Sequence, residues 1–401
     1  MSSIEMARRA VGMARGLRRL VREPVTVAEA EAVVAGEVAR RGNRFLASLD
    51  SLVWPFPSSP ARRLLENAGI EAGDVERLVT GHGVVSALEQ LRDAGVYVSY
   101  EEYHGRVDAQ RGSATFTFSP PDFFNPVTPA DYIATTGGSR SSGTPVELSF
   151  AWQRRQGVQR AIQFDRAGVR GAPTATWLPV FPSAAGYGAV MKLTAGGNRP
   201  ERWFSQVPVD LDGISSHKQL ANKFLPALSA LARAGLPSPE YAPTSEPEPV
   251  VRWLADAVQR LGSAVITGYA SSLTAAARWA REHGVALDGV VAYPSSEPVT
   301  AGKLAAMRAA GVRPHPTYAF VPEGTVALSC EHCDDEEYHL WEQELALITR
   351  RRPRSDDADV DAFLLTSLAQ EAPRVLVKVE NDDYGVVRHD VECSCGLGSL
   401  G

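Results

Sequence analysis

The 401-residue chain predicts a layered α/β fold, on three observations. Helix-like stretches alternate with short β-branched or apolar runs between Ala151 and Gly311, the first hundred or so residues carry helical periodicity, and 44% hydrophobic residues suffice to bury a full core.

From Met6 to Arg22, arginines at 8, 9, 15, 18, 19 and 22 lie among Ala, Val, Met and Leu. That is the pattern of a solvated helix with one packed face, and a membrane-surface helix is the alternative. Apolar residues three and four apart in VAEAEAVVAGEVARRGNRFLASL and GHGVVSALEQLRDAGV predict further helices. Residues 1–110 therefore form a helical N-terminal region and residues 111–401 the α/β core, the whole being one large domain. From Gly112 the aromatic alternation, Pro and Gly of TFTFSPPDFFNPVTPADYIATTGG predict strands and loops. ATWLPVF, SAVITGYA and DGVVAYPSS then predict strands of the main sheet, and LPSPEYAPTSEPEPV an exposed connection. RRRPRSDDADVD reads as a charged loop, and RVLVKVENDDYGVVRHDVECSCG as strand, turn, strand, with Asn381, Asp382, Asp383 and Gly385 in the turn.

A formal net charge of -6 argues against nucleic acid or an anionic membrane as the main partner, because both favour a basic face. No apolar run approaches the roughly 20 residues that span a bilayer, and the N-terminus lacks a secretory signal core, so a cytoplasmic location is expected. Thiols stay reduced there, which leaves metal ligation or packing as free thiols for the cysteines. They fall in two tight pairs, Cys330-x-x-Cys333 and Cys393-x-Cys395. Four thiolates make a closed tetrahedral site with no position open for catalysis, so the expected ion is a structural zinc. His332, His339 and His389 are nearby alternatives to any one of these cysteines, and each reads first as a surface or supporting histidine.

The stretch Thr135-Thr136-Gly137-Gly138-Ser139-Arg140-Ser141-Ser142-Gly143-Thr144-Pro145 is drawn almost wholly from Gly, Ser and Thr. Such a loop brings backbone N–H groups and hydroxyls around an anion, as in a phosphate cradle, and a flexible surface linker has the same composition. It is not a Walker A loop, since no Gly-Lys-Ser/Thr follows at the required spacing.

The loop resembles the signature loop of the adenylate-forming superfamily, and further stretches follow in the order that family shows. Ser295-Ser296-Glu297-Pro298-Val299-Thr300 resembles the stretch lining the adenine site. Tyr318-Ala319-Phe320-Val321-Pro322-Glu323 resembles the aromatic-to-glutamate motif, with one residue more than usual between its ends. Phe363 to Leu368, followed by Asp382 or Asp383, resembles the closing strand and ribose-binding aspartate. The order is similar to the phenylacetate-CoA ligase and coenzyme F390 synthetase branch, which carries a comparable cysteine set, and the resemblance covers roughly residues 50–401. The family loop usually has lysine where Thr144 stands, and Arg140 is the only cation in the loop.

This resemblance implies ATP-dependent activation of a carboxylic acid as an acyl-adenylate. Arg140 and Glu323 would assist, the latter by holding magnesium, and ATP or AMP would sit against the loop, Ser295 to Pro298, Tyr318 and Asp382 or Asp383. Phe181, Gly186 and Tyr187, with Trp177 and Trp203, could wall an acyl pocket, although core packing explains each as well. The expected partners are a small carboxylic acid, CoA or an acyl carrier protein, and a second copy of the chain, with no nucleic acid and no membrane. An amine or hydroxyl acceptor, or a degenerate non-catalytic scaffold, are the alternatives. The mobile C-terminal lid usual in the family is not expected within these residues.

Overall fold

In chain order the helices and strands are α1 (Ser3–Arg22), α2 (Val27–Ala39), α3 (Arg41–Leu52), α4 (Pro60–Asn67), α5 (Ala72–Asp93), α6 (Tyr100–Tyr103), β1 (Ala109–Arg111), β2 (Ala114–Phe116), β3 (Tyr132–Thr135), β4 (Pro145–Leu148), α7 (Phe150–Arg166), β5 (Thr174–Trp177), α8 (Ala185–Ala195), β6 (Arg202–Ser205) and β7 (Pro239–Tyr241). Then come α9 (Glu248–Leu261), β8 (Ala264–Tyr269), α10 (Ala270–Glu282), β9 (Val290–Ser295), α11 (Ala301–Arg308), β10 (Arg313–Pro314), β11 (Thr317–Phe320), β12 (Gly324–Leu328), β13 (His339–Leu340), β14 (Leu345–Pro353), β15 (Asp359–Ser367) and β16 (Val379–Tyr384). The structure, a computed structural model, describes all residues except 1–2, 129, 136–144, 181–182, 184, 210–225, 228, 231, 321–323, 355–357, 389–390, 392 and 398–401. No helix among the described residues is long and apolar enough to cross a membrane.

Contacts divide the chain into two units. The first takes residues 1–33, 130–340 and 393–399, and the second residues 34–129, 341–392 and 400–401. The boundaries between these units fall near residues 33, 129, 340 and 392. The reason is pairwise: α5, against which α3 packs, meets the late strand β14, and α6 meets β16, so sequence neighbours and spatial neighbours differ.

The first unit is built on a six-stranded sheet in the order β10-β9-β8-β5-β6-β7, parallel throughout. Helices cover both faces, as parallel sheets require. The strand period of two separates the faces cleanly. Ala264, Ile266, Val290 and Ala292 enter a core with Leu254 and Ala257 of α9 and Leu273 and Ala277 of α10. Val265, Val291 and Tyr293 point the other way, to Phe164 of α7 and Leu193 of α8. α9 ends where Gly262 takes φ +79°, the left-handed cap that lets the chain turn into β8. The chain runs outward from β5 to β7, then returns to the opposite side of β5 as β8. This reversal creates a switch point at the carboxyl ends of β5 and β8, where open α/β sheets present ligand crevices.

The second unit centres on the antiparallel meander β14-β15-β16. Arg350 and Arg352 both reach the buried Glu380 carboxylate, each at 2.7 Å. Three expectations need correction here. RRRPRSDDADVD is not simply a loop, because its ends form β14 and β15 with Pro353 paired to Asp359. Asn381 to Asp383 lie inside β16 rather than in a turn, at a register shift opposite Ala362 and Leu364, where Asp382 takes φ +71°. The connection at 236–250 contributes the edge strand β7, paired with β6.

Candidate functional site

The four donors of the strongest candidate site all belong to the first unit. β12 pairs antiparallel with β13, setting His339 opposite Leu328, two residues before Cys330. Residues 393–397 return to the same corner, where Gly396 adopts φ +74° just after Cys395. Cys330, His339, Cys393 and Cys395 then present ligand atoms all within 4.8 Å of one another. Cys330 Sγ lies 3.7 Å from Cys393 Sγ and 3.5 Å from His339 Nε2, and Cys395 Sγ lies 3.3 Å from His339 Nε2. A tetrahedral zinc with its usual bond lengths has S···S edges of about 3.8 Å and S···N edges of about 3.5 Å. The donor set therefore fits that ion. Cys333 Sγ stands 3.5 Å from Cys330 Sγ but lies outside the group of four.

Backbone N–H groups of His332 and Leu397 donate to Cys330 and Cys395 Sγ, both at 3.3 Å, which favours sulfur carrying negative charge. Without a cation, burial pushes the Cys330 and Cys395 thiols up to about 12. Burial also lowers His339, keeping its imidazole neutral and able to bind a metal. Burial opposes ionisation of Cys393, yet the N–H of Cys395 and the thiols of Cys395 and Cys330 hold it below the ordinary cysteine value. His339 is thus the residue that the sequence reading set aside. Its signal was its position, nine residues after Cys330 and at the start of a short strand.

The remaining expected site residues are distributed as follows. Thr135 ends β3, and β3 pairs with β4 so that Thr135 faces Pro145. The Gly/Ser/Thr stretch thereby connects two strands of a hairpin; Thr136 to Thr144, including Arg140, lie outside the described residues, as do Phe181, Glu323 and His389. Ser295 ends β9, and Ser296 takes φ +65°. Glu297 accepts from the Ser271 backbone N–H at 2.8 Å and from Ser271 Oγ at 2.9 Å, capping the N-terminus of α10. Lys303 Nζ donates to the Pro298 carbonyl at 2.7 Å, so this loop is latched at both ends. Tyr318 sits half-buried on β11, beside a register shift between Tyr318 and Ala319. The shift leaves Val326 of β12 as the extra residue, so the bulge lies on the partner strand and outside the Tyr318–Glu323 stretch.

Gly186 and Tyr187 are core residues. Tyr187 packs edge-on to Trp203 with ring centroids 4.6 Å apart, and a Cβ at Gly186 would meet the Pro179 carbonyl and the Trp203 ring, both at 2.6 Å. Trp177 and Trp203 are fully buried, donating their indole N–H groups to the Ala242 and Leu178 carbonyls. These aromatics pack in the core of the first unit. Asp382 and Asp383 belong to the second unit. Arg352 Nη2 donates to Asp382 at 3.0 Å, and Asn381 Nδ2 to Asp383 at 3.0 Å.

Sequence reasoning missed a set of polar side chains at the carboxyl edge of the sheet. Gln206 Nε2 donates to the Trp177 carbonyl at 3.1 Å and to Ser272 Oγ at 2.6 Å, and Ser272 lies 3.4 Å from Thr244 Oγ1. Tyr269, at the end of β8, has its hydroxyl raised by burial while a Ser183 hydrogen bond opposes the rise. A cleft of about 430 Å³ opens beside them, lined by Thr244, Ser245, Ser271, Arg278, Trp279 and Lys303 among others. No motif marks these residues; only their common place just after parallel strands does.

No protein-family model matches the chain, and no curated protein matches it. Among solved structures it is similar to a 2-hydroxyisobutyryl-CoA ligase in complex with 2-HIB-AMP and CoA, at 14% identity over 90% of this chain and 71% of that one, with a TM-score of 0.46. It is also similar to VinN in complex with L-aspartate, at 14% identity over 76% of this chain and 63% of that one, TM-score 0.39. The anthranilate CoA ligase AuaEII in complex with anthranoyl-AMP follows, at 10% identity over 63% and 45%, TM-score 0.37.

Proposed function

We propose that the chain activates a carboxylic acid with ATP as an acyl-adenylate and passes the acyl group to the thiol of CoA or a carrier protein. The carrying observation is the ordered set of four motifs, of which three belong to one unit: the hairpin loop after Thr135, the Ser295–Thr300 loop ending β9, and the Tyr318 hairpin. Adenylation breaks the bond between the α-phosphorus and its bridging oxygen as a carboxylate oxygen attacks that phosphorus, with pyrophosphate leaving. The acceptor sulfur then attacks the acyl carbon, and AMP leaves. No side-chain nucleophile is required. Hydroxyls and N–H groups of the loop, with Arg140, would steady phosphate charge. Magnesium, held through Glu323, would supply neutralisation of the phosphates.

Zinc at Cys330, His339, Cys393 and Cys395 would be structural, since all four positions are filled by protein. Thr144 in place of the family lysine favours one second reading, a scaffold that keeps the metal and not the activity. ATP–pyrophosphate exchange across a panel of carboxylic acids separates the two. Exchange with at least one acid is expected; none with any acid would leave the scaffold reading standing. Product analysis with CoA, carrier protein and amines then identifies the acceptor.

A further inference from the structure

We infer that Arg160 and Lys192 form a receptor for a small oxyanion, a carboxylate or phosphate group, where α7 crosses α8. The crossing is close, because a Cβ on Gly157 would fall 2.6 Å from Ala195 Cβ, and one on Gly196 would fall 2.8 Å from Arg160 Cβ. It carries two half-buried cations, one on each helix. Neighbouring arginines on α7 are matched by acids: Arg154 meets Glu29 at 3.0 Å and Arg166 meets Glu31 at 2.5 Å. Arg160 instead donates to the neutral Gln163 amide at 2.5 Å. Lys192 has no hydrogen-bond or ion-pair partner among the described residues.

The electrostatics agree. Burial holds Arg160 down to about 10, opposed only by Tyr293, and burial together with the Arg160 charge holds Lys192 down to about 8. Among the described residues no carboxylate contributes to either. Two like charges in a partly desolvated crossing destabilise it unless an anion neutralises them.

Neutral polar groups lie on the sheet face under the same two helices, and Tyr293 among them acts on Arg160. The sheet register sets Thr176 of β5, Thr267 of β8 and Tyr293 of β9 in one lateral row, on the face toward α7 and α8. Thr267 Oγ1 donates to the Tyr293 carbonyl at 3.3 Å, but the Thr176 and Tyr293 hydroxyls are buried without partners. So are both polar atoms of the Gln159 amide, next to Arg160 in the helix. A guanidinium, an ammonium and several neutral donors suit an anion with more than one oxygen.

The test uses the full chain without ATP, so its result is independent of the adenylate reading. Thermal shifts and calorimetric titration compare succinate, inorganic phosphate and chloride at matched ionic strength. Stabilisation by succinate, by phosphate or by both is expected, with binding at least tenfold weaker in R160Q and K192M and partly restored in K192R. A response to succinate alone assigns a di-acid, and to phosphate alone a phosphorylated ligand. Without anion, K192M should melt no lower than the wild type, because a like-charge repulsion is removed. Wild-type chain responding no more to succinate or phosphate than to chloride, or variants that keep the response, would overturn the assignment.

Discussion

Lys378 offers the sharpest quantitative prediction. Its side chain is fully buried in the second unit and its Nζ has no hydrogen-bond partner, while its backbone holds φ +55°. Burial alone lowers it from the ordinary 10.5 to about 7. A folded-state value below the unfolded one means that the unfolded chain binds more protons, so stability rises with pH between about 7 and 10.5 and is lowest below that window. Lys378→Met keeps the straight aliphatic stem and removes the ammonium. At 1.36 kcal/mol per unit, the variant should be more stable than the wild type by about 4 kcal/mol at pH 7, about 2 at pH 9 and close to zero above pH 11. Urea denaturation followed by tryptophan fluorescence at several pH values reads this gap, with the buried Trp341 reporting from the same unit. A variant less stable than the wild type at pH 7, or a gap that does not shrink as pH rises, would refute the reasoning by showing that the ammonium is compensated.

Three further outcomes are expected. Metal analysis should find one zinc per chain, lost in His339→Ala and Cys393→Ser but kept in Cys333→Ser, and chelation should lower the melting temperature only where zinc was present. Gly324→Ala should cost more than about 1 kcal/mol, because Gly324 has φ +94° and its new Cβ would lie 2.0 Å from Gln156 Oε1; adding Gln156→Ala should recover part of the loss in chemical denaturation. Glu297→Ala should cost about 1 kcal/mol by uncapping α10, and Glu297→Gln less, since an amide oxygen still accepts from Ser271.

The strands of the parallel sheet were legible because SAVITGYA and DGVVAYPSS are short, β-branched runs between helical patterns, and they became β8 and β9. The division of the chain was not legible, because pairing of the 34–129 helices with strands beyond residue 341 has no local signature. NDDYG looked like a turn since Asn, Asp and Gly favour one; the cross-strand clamp of Arg350 and Arg352 on Glu380 instead keeps that segment beside β15. At the metal corner, cysteine spacing was informative while the histidine was ambiguous. A lone histidine has meaning only once β12 and β13 pair and deliver it. The Arg160 and Lys192 pair was invisible in the same way, since likeness of charge across two helices depends on their crossing.

The corner where Cys330 and His339 meet Cys393 and Cys395 also determines how the chain carries load. Residues 341–392 leave the first unit after β13 and return at Cys393, so a bound ion closes them into a loop of some sixty residues. The length-dependent entropy of closing such a loop is about 3 to 4 kcal/mol, which the ion would remove from the search of the unfolded excursion. Tension applied between the chain ends would then pass from Cys393 and Cys395 directly into β12 and β13, bypassing the excursion. The tie would hold against that tension for as long as the metal–sulfur bonds last.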